Sequence, residues 1–261
     1  MNSSSVPLIL RKFNINYISN NNLILIIGPP QSGKSIISKD ILYNINNIKY
    51  GSIISNPHSS KKNYDYIPSL FTHESYNKSI INNFIKKQLK LMYSTEYNYY
   101  SFLIFDDSLK YKDLEKSKYL RKLFCGKVLN ILSIIEIIEL SKIYETLLLK
   151  NKFDYIFIMK EPLENNRRKI YNFIKDKLNI PFSLYCKFMD DYTDDYNLLV
   201  FDLKSESKYI EDKLFWYKAK EHKNFKIHNE ELWNYANLHY NNDKATKDIN
   251  NNIFLRNINY I

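Results

Sequence analysis

Residues 28–35 read Gly28-Pro29-Pro30-Gln31-Ser32-Gly33-Lys34-Ser35. Two glycines separated by four residues and followed by Lys-Ser form a pattern whose chemistry is phosphate binding. Gly28 and Gly33 let the backbone take angles and close approaches that a β-carbon forbids. The N–H groups of Ser32, Gly33, Lys34 and Ser35 can then converge on phosphate oxygens, helped by the positive end of a following helix. Lys34 offers a cation to the β- and γ-phosphates, and the Ser35 hydroxyl is the expected Mg²⁺ ligand. Pro29 and Pro30 have no N–H to give. They stiffen the near side of the loop and leave the cradle to the later residues. A plain turn would explain the glycines but not Lys34 and Ser35 together. The chain has four glycines, and two of them are here. The whole stretch from Gly28 to Ser35 is therefore the candidate nucleotide-binding loop, with ATP as the expected ligand.

Such a loop needs a carboxylate for the metal shell. The run Phe102-Leu103-Ile104-Phe105-Asp106-Asp107 ends an apolar stretch on two acids. In an open parallel sheet, ligands bind at the carboxyl ends of the strands. Asp106 is the expected Mg²⁺ partner, and Asp107 is placed to orient or deprotonate an attacking water. Lys34 and Asp107 are the expected catalytic pair. A solvated turn or a helix cap is the competing reading of the two acids. Aspartate pairs also occur at Asp190-Asp191 and Asp194-Asp195. No strand precedes these, and they are read as loop chemistry.

The elements that must position these residues follow from periodicity. Short apolar runs alternate with longer helical patterns, which predicts βαβ units and a mainly parallel sheet flanked by helices on both faces. Strands are expected at 23–27, 51–55, 101–105, 128–138, 153–159 and 196–203, and helices at 34–45, 77–93, 113–124 and 161–178. Pro162 falls near the first turn of the last helix, where its missing N–H is harmless. One domain is expected over 1–235, with a loosely ordered Asn-rich tail over 236–261.

The chain has 261 residues and a net charge of +10. That charge suits an acidic partner such as nucleic acid. The abundance of Lys, Asn, Ile and Tyr equally fits the bias of an A+T-rich genome. Cys125 and Cys186 make no disulfide framework, and the five histidines follow no zinc spacing. The polar start predicts no secretory leader, and no apolar run reaches the ~18 residues of a membrane span. The expectation is a soluble, intracellular protein.

In the order of these motifs the chain resembles the genome-packaging ATPases of nucleocytoplasmic large DNA viruses, a branch of the FtsK–HerA superfamily. The resemblance runs from about residue 22 to about 228. Beyond the two nucleotide motifs it includes 67–88, the strand 154–161, the helix segment Asn166-Arg167-Arg168-Lys169-Ile170-Tyr171 and the element Phe215-Trp216-Tyr217-Lys218-Ala219-Lys220. It implies a P-loop NTPase of the additional-strand type, in which a strand carrying a polar sensor lies between the loop strand and the acidic strand. It further implies an ATP-driven motor, a homo-oligomeric ring moving double-stranded DNA into a capsid. Capsid or portal-region proteins would be partners, and the host-cell cytoplasm or the virion the setting.

The chain departs from that pattern in three places. Cys125-Gly126-Lys127-Val128 replaces an Asn-Gly-Arg-His segment. The sensor strand lacks its terminal glutamine and offers Ile137 and Ile138, with Glu136 and Glu139 as polar neighbours. Lys150 stands where an arginine is usual, and lysine lacks the planar fork. Arg121, Arg167 and Arg168 are candidate trans-acting fingers, or else exposed helix residues. The lysine-rich runs 84–90 and 215–226 either face DNA or are solvated faces. Trp216 and Tyr217 are read as packing rather than base-stacking residues. Two rivals stand beside the motor: a hydrolytically weak ATP-binding assembly protein of the same family, and a P-loop small-molecule or nucleotide kinase. The kinase would need an arginine-rich lid.

Overall fold

The computed structural model describes residues 8–45, 47–56, 61–94, 99–110, 113, 117–126, 129–140 and 152–239. Nine strands form one sheet: β1 (Arg11–Lys12), β2 (Leu23–Ile27), β3 (Ile48–Ser55), β4 (Thr72–His73), β5 (Tyr100–Asp106), β6 (Ile131–Ile137), β7 (Tyr155–Ile158), β8 (Asn197–Asp202) and β9 (Leu214–Lys218). The described helices are α1 (Lys34–Asn44), α2 (Lys78–Ser94), α3 (Lys118–Gly126), α4 (Glu164–Leu178), α5 (Phe182–Tyr192) and α6 (Glu230–His239).

The strand order is β1-β9-β8-β7-β2-β6-β5-β3-β4. Among the described residues every pairing is parallel except β7–β8 and β8–β9, so β8 alone of these strands runs against the rest. This is the expected α/β P-loop NTPase sheet, and β6 lies between β2 and β5 as the additional strand. The reason is legible in composition. Leu23-Ile24-Leu25-Ile26-Ile27 has no polar alternation because both of its faces are buried. Leu23, Leu25 and Ile27 pack on one side with Ile81, Phe84, Leu123 and Ile170 from α2, α3 and α4. Ile24 and Ile26 pack on the other with Ile37 and Ile41 of α1.

The expected strands and helices all occur among the described residues, with shifted ends. Strand β3 starts three residues earlier than expected, and β6 starts at Ile131 rather than 128. Helix α3 begins at Lys118, where the Ser117 hydroxyl accepts the Leu120 N–H at 3.1 Å. Pro162 precedes the Leu163 cap of α4 and lies outside its first turn. Five elements, α6 among them, were not anticipated. β1 and β4 are two-residue edges without an apolar run, α5 follows Pro181, and β9 holds the aromatic element at 215–218. Helix α6 carries order through His239, beyond the expected start of the tail, and residues 240–261 lie outside the described residues. No described helix is long and apolar enough to cross a membrane.

A buried carboxylate fastens the C-terminal segment to α1. Asp40 is fully buried. It accepts hydrogen bonds from the Tyr217 hydroxyl (2.6 Å), the Lys220 N–H (3.0 Å) and Asn44 Nδ2 (3.0 Å), and it pairs with His222 Nε2 at 2.7 Å. Tyr217 is thus a buried packing residue, as its sequence context suggested. The bonds make the helix that follows the loop rigid against β9.

Two buried histidines set the acid response. His73 ends β4, and its ring nitrogens find no hydrogen-bond partner among the described residues. Burial pulls its pKa down to about 4. Burial also pulls His228, stacked on Phe71 at 4.2 Å, down to about 4. Above pH ~6.5 each is neutral folded or unfolded. Between ~6.5 and 4 the unfolded chain takes up protons that the folded chain refuses, so the histidine contribution to stability falls as pH falls. Urea denaturation of the parent against a His73 variant should isolate that contribution, about 3 kcal/mol from His73. His73→Phe should flatten the slope in that window; an unchanged slope would contradict the assignment.

Candidate functional site

The loop 28–33 connects the end of β2 to the start of α1. The Gly28 N–H donates to the Ile137 carbonyl at 3.1 Å, which ties the loop to β6. A β-carbon on Gly28 would stand 2.4 Å from Met159 Cγ and 2.7 Å from Ser32 Oγ, so only glycine fits. Gln31 and Gly33 are left-handed, with φ 61° and 98°. Gly33 caps α1 and offers no side chain to its first N–H groups. Those N–H groups therefore remain directed out of the helix end, where an anion can accept them. The Ser32 hydroxyl is buried and has no partner among the described residues. Lys34 is buried, and its ammonium donates to the Gly28 and Pro29 carbonyls at 2.8 and 2.9 Å.

Three carboxylates face this ammonium. In the sheet, Asp106 of β5 lies opposite Glu136 of β6, and Glu136 lies opposite Ile26 of β2. Asp106 is buried at the strand end. Asp107 follows at the mouth of the site in a left-handed turn, φ 45°, its N–H donating to the Glu136 carbonyl at 2.9 Å. Glu136 is 1% exposed, and its Oε1 accepts the Ser38 hydroxyl of α1 at 2.6 Å. Burial pulls the Lys34 ammonium below its ordinary value, while Glu136, Asp106 and Asp107 pull it back. Burial and then Asp106 push the Asp107 carboxyl above its usual range. The same two causes push Glu136 up to about 8, against the Ser38 hydrogen bond and Lys34. Tyr64 and Tyr66 are buried nearby, and burial followed by the charge of Glu136 holds both phenols far above their ordinary value.

The donor set suits a nucleoside triphosphate with Mg²⁺. The acids outnumber the one buried lysine, the side-chain donors are all oxygens, and hard cations prefer oxygen. Among the described residues no group of three or more His, Cys, Asp or Glu could hold a metal ion unaided. Mg²⁺ is bound by one or two protein oxygens with phosphate and water completing the shell. Ser35, at the first turn of α1, and Asp106, at the end of β5, are the residues that would hold it.

Every sequence-predicted member from Gly28 to Ser35, with Asp106 and Asp107, comes to the β2–β6–β5 edge. Glu136 is the residue sequence reasoning undervalued. Its signal was present: a glutamate within Ser133-Ile134-Ile135-Glu136-Ile137-Ile138 must be buried if the strand is central, and a buried acid requires partners. The arginine candidates behave differently. Arg167 is committed to Asp190 at 2.7 Å and to the Glu161 carbonyl, and Arg168 to Glu164 at 2.7 Å. Arg121 is an exposed residue of α3. Lys87 of the 84–90 run turns over the Tyr50 ring, and burial lowers its pKa to about 8. Asp190, Asp194 and Asp195 pair with Arg167, Lys160 and Lys218; Asp194 and Asp195 lie in a turn, as expected, whereas Asp190 and Asp191 belong to α5 rather than to a loop. Lys127, Val128 and Lys150 lie outside the described residues.

No family model matches the chain. An uncharacterised protein of Invertebrate iridescent virus 6 is 29% identical over 219 residues, 79% of this chain and 80% of that protein. An uncharacterised protein of Acanthamoeba polyphaga mimivirus is 25% identical over 224 residues, 82% and 78% of the two chains. Among solved structures, the genome packaging NTPase B204 of Sulfolobus turreted icosahedral virus 2, in complex with AMPPCP, matches with a TM-score of 0.55. It is 15% identical, over 78% of this chain and 100% of that one. The pCW3 conjugation coupling protein TcpA, with ATPγS, matches with a TM-score of 0.53 at 12% identity, over 78% and 62%. The fold neighbours are thus nucleotide-binding proteins, a viral packaging NTPase among them, and the sequence relatives are proteins of large DNA viruses.

Glu136 yields a pH prediction of its own. Its folded pKa lies above the unfolded value, so the folded chain keeps a proton that the unfolded chain loses. The Glu136 contribution to stability therefore falls as pH rises from ~4.5 to about 8, opposite in sign to that of the buried histidines. Glu136→Gln keeps the bond to Ser38 and removes the charge. The melting temperature of the variant relative to the parent should climb across that window, measured without Mg²⁺ or nucleotide. A constant difference would show that Glu136 is ionised throughout.

Proposed function

We propose that the chain is an ATP-hydrolysing subunit of a DNA-packaging motor. It acts as a homo-oligomeric ring on double-stranded DNA, with capsid or portal-region proteins as partners, in the host-cell cytoplasm during virion assembly. The observation that carries this reading is the meeting of the Gly28–Ser35 loop, Asp106 and Asp107 at one sheet edge with an additional strand between them. The packaging NTPase fold of the neighbours supports the motor role, and the +10 charge suits an acidic polymer.

In this reading the N–H groups of Ser32 to Ser35 and the helix end hold the phosphates, and Gln31, Pro29 and Pro30 shape the approach. The Lys34 ammonium leaves the Gly28 and Pro29 carbonyls for β- and γ-phosphate oxygens. It thereby stabilises charge that grows as the terminal P–O bond breaks. Ser35 and Asp106 hold Mg²⁺, which when bound neutralises phosphate charge and orients the γ-phosphoryl group. Asp107 orients the attacking water and accepts its proton. A carboxyl raised above its usual range is the better acceptor.

One observation favours a second reading, an ATP-binding assembly protein that barely turns over. Glu136 adjoins the end of the additional strand, where the family resemblance implies an amide and the chain has Ile137 and Ile138. A carboxylate there, if ionised, would repel the γ-phosphate. The kinase reading has no such support: the arginines of α4 are engaged within the chain.

Lys34→Ala should lower phosphate release at least ~100-fold while the chain still folds. Asp107→Asn should bind ATP and hydrolyse it ~100-fold more slowly. Double-stranded DNA should stimulate the parent, steeply less so as salt rises. Parent-like turnover in Lys34→Ala would sink the catalytic assignment. No DNA stimulation at any salt would favour the assembly protein.

A further inference from the structure

The turn between α5 and β8 is built against its own backbone preferences. Asp195 and Tyr196 are consecutive left-handed residues, φ 53° and 59°, and neither is glycine. A bulky ring at positive φ persists only where its surroundings hold it. Here the Asn197 N–H and Nδ2 donate to the Asp194 carbonyl at 3.0 and 2.7 Å. Lys160, after β7, pairs with Asp194, and Lys218, ending β9, pairs with Asp195. The outcome is a tyrosine ring 69% exposed to solvent and placed beside the phosphate loop. A methyl group built on Gly33 would lie 3.9 Å from Tyr196 Cδ1, and equally 3.9 Å from Met159 Cε and Ile36 Cδ1. Ile36 is itself 41% exposed. An open apolar patch thus borders the loop at Gly33.

The position of that patch has a direction. Lys34, Asp106 and Asp107 put the terminal phosphate on the β6–β5 side of β2. The strand order places β7 and β8 on the opposite side. A nucleotide whose phosphates cross the loop carries its base toward β8, where Tyr196 stands. We propose that Tyr196 is the nucleobase platform of the site: its ring stacks on the base, with Ile36 beside it. This rests on the nucleotide reading above. A strained, exposed aromatic flanked by apolar atoms is suited to a flat ligand, because stacking needs only a π-face.

The test compares two ligands of the full chain by calorimetry in Mg²⁺ buffer: ATP, and inorganic tripolyphosphate, which has no base. Tyr196→Ala should weaken ATP about tenfold and leave tripolyphosphate unchanged. Tyr196→Phe should keep both affinities. Tyr196→Gly relieves the left-handed strain, so it should melt no lower than the parent and still lose the same ATP affinity. A variant that loses ATP and tripolyphosphate equally, or loses neither, overturns the platform. If the parent chain binds neither ligand, the nucleotide reading fails first and the platform with it. Parent binding with an indifferent Tyr196→Ala overturns the platform alone.

Discussion

Lys34 is buried, and a buried ammonium is costly unless opposite charge or hydrogen bonds meet it. Two loop carbonyls and three carboxylates meet it here. The carboxylates come from two strands and a turn, so the arrangement exists only if β2, β6 and β5 lie side by side in register. The register that sets Asp106 against Glu136 also brings the Asp107 N–H to the Glu136 carbonyl, and the β2–β6 register brings the Gly28 N–H to Ile137. The loop and both acids are therefore fixed by the two ladders of β6. A slip of a single residue would turn Glu136 to the other face of the sheet and leave Lys34 without one of the three acids that face it.

The same local charge explains why the surrounding groups are so tightly specified. Glu136 is held by Ser38, four residues after Lys34 on α1, so the helix that carries the lysine also restrains an acid facing it. Two residues further on, Asp40 binds Tyr217, Lys220 and His222 from the far end of the chain. Helix α1 is thus bonded to the additional strand through Ser38 and to the C-terminal segment through Asp40. Both bonds are buried, where an unmet partner would cost ~1–3 kcal/mol or more. The helix is positioned by polar bonds as much as by Ile37 and Ile41, which fixes the helix end that follows the 28–33 loop.

Much of this was legible in the sequence because the relevant signals are local. Gly28, Gly33, Lys34 and Ser35 carry their chemistry in their spacing. Asp106 and Asp107 end an apolar run, and the central strands are continuous apolar stretches because both of their faces are covered. What escaped reading depends on pairing across the sheet. Glu136 looked like one of two polar neighbours until register set it opposite Asp106 and left Glu139 exposed. β1 and β4 have no intrinsic strand signal and exist because a longer neighbour supplies their hydrogen bonds. Tyr196 sits in an Asp-rich turn that reads as solvated loop, and its left-handed backbone has no glycine to announce it.

The reversed strand has a geometric consequence for the site. In a parallel sheet the ends of strands gather at one edge and their beginnings at the other. β8 runs the opposite way, so its beginning lies at the edge where β7 and β2 end. Its leading turn can therefore reach the phosphate loop, which the turn before a parallel strand could not. Lys160 leaves β7 and Lys218 leaves β9 at that same edge, and each takes one aspartate of the turn. Surface ion pairs of this kind add little to stability singly. Their effect here is placement: two cations from the ends of flanking strands pair with two neighbouring aspartates and hold the turn that carries Tyr196 beside Gly33.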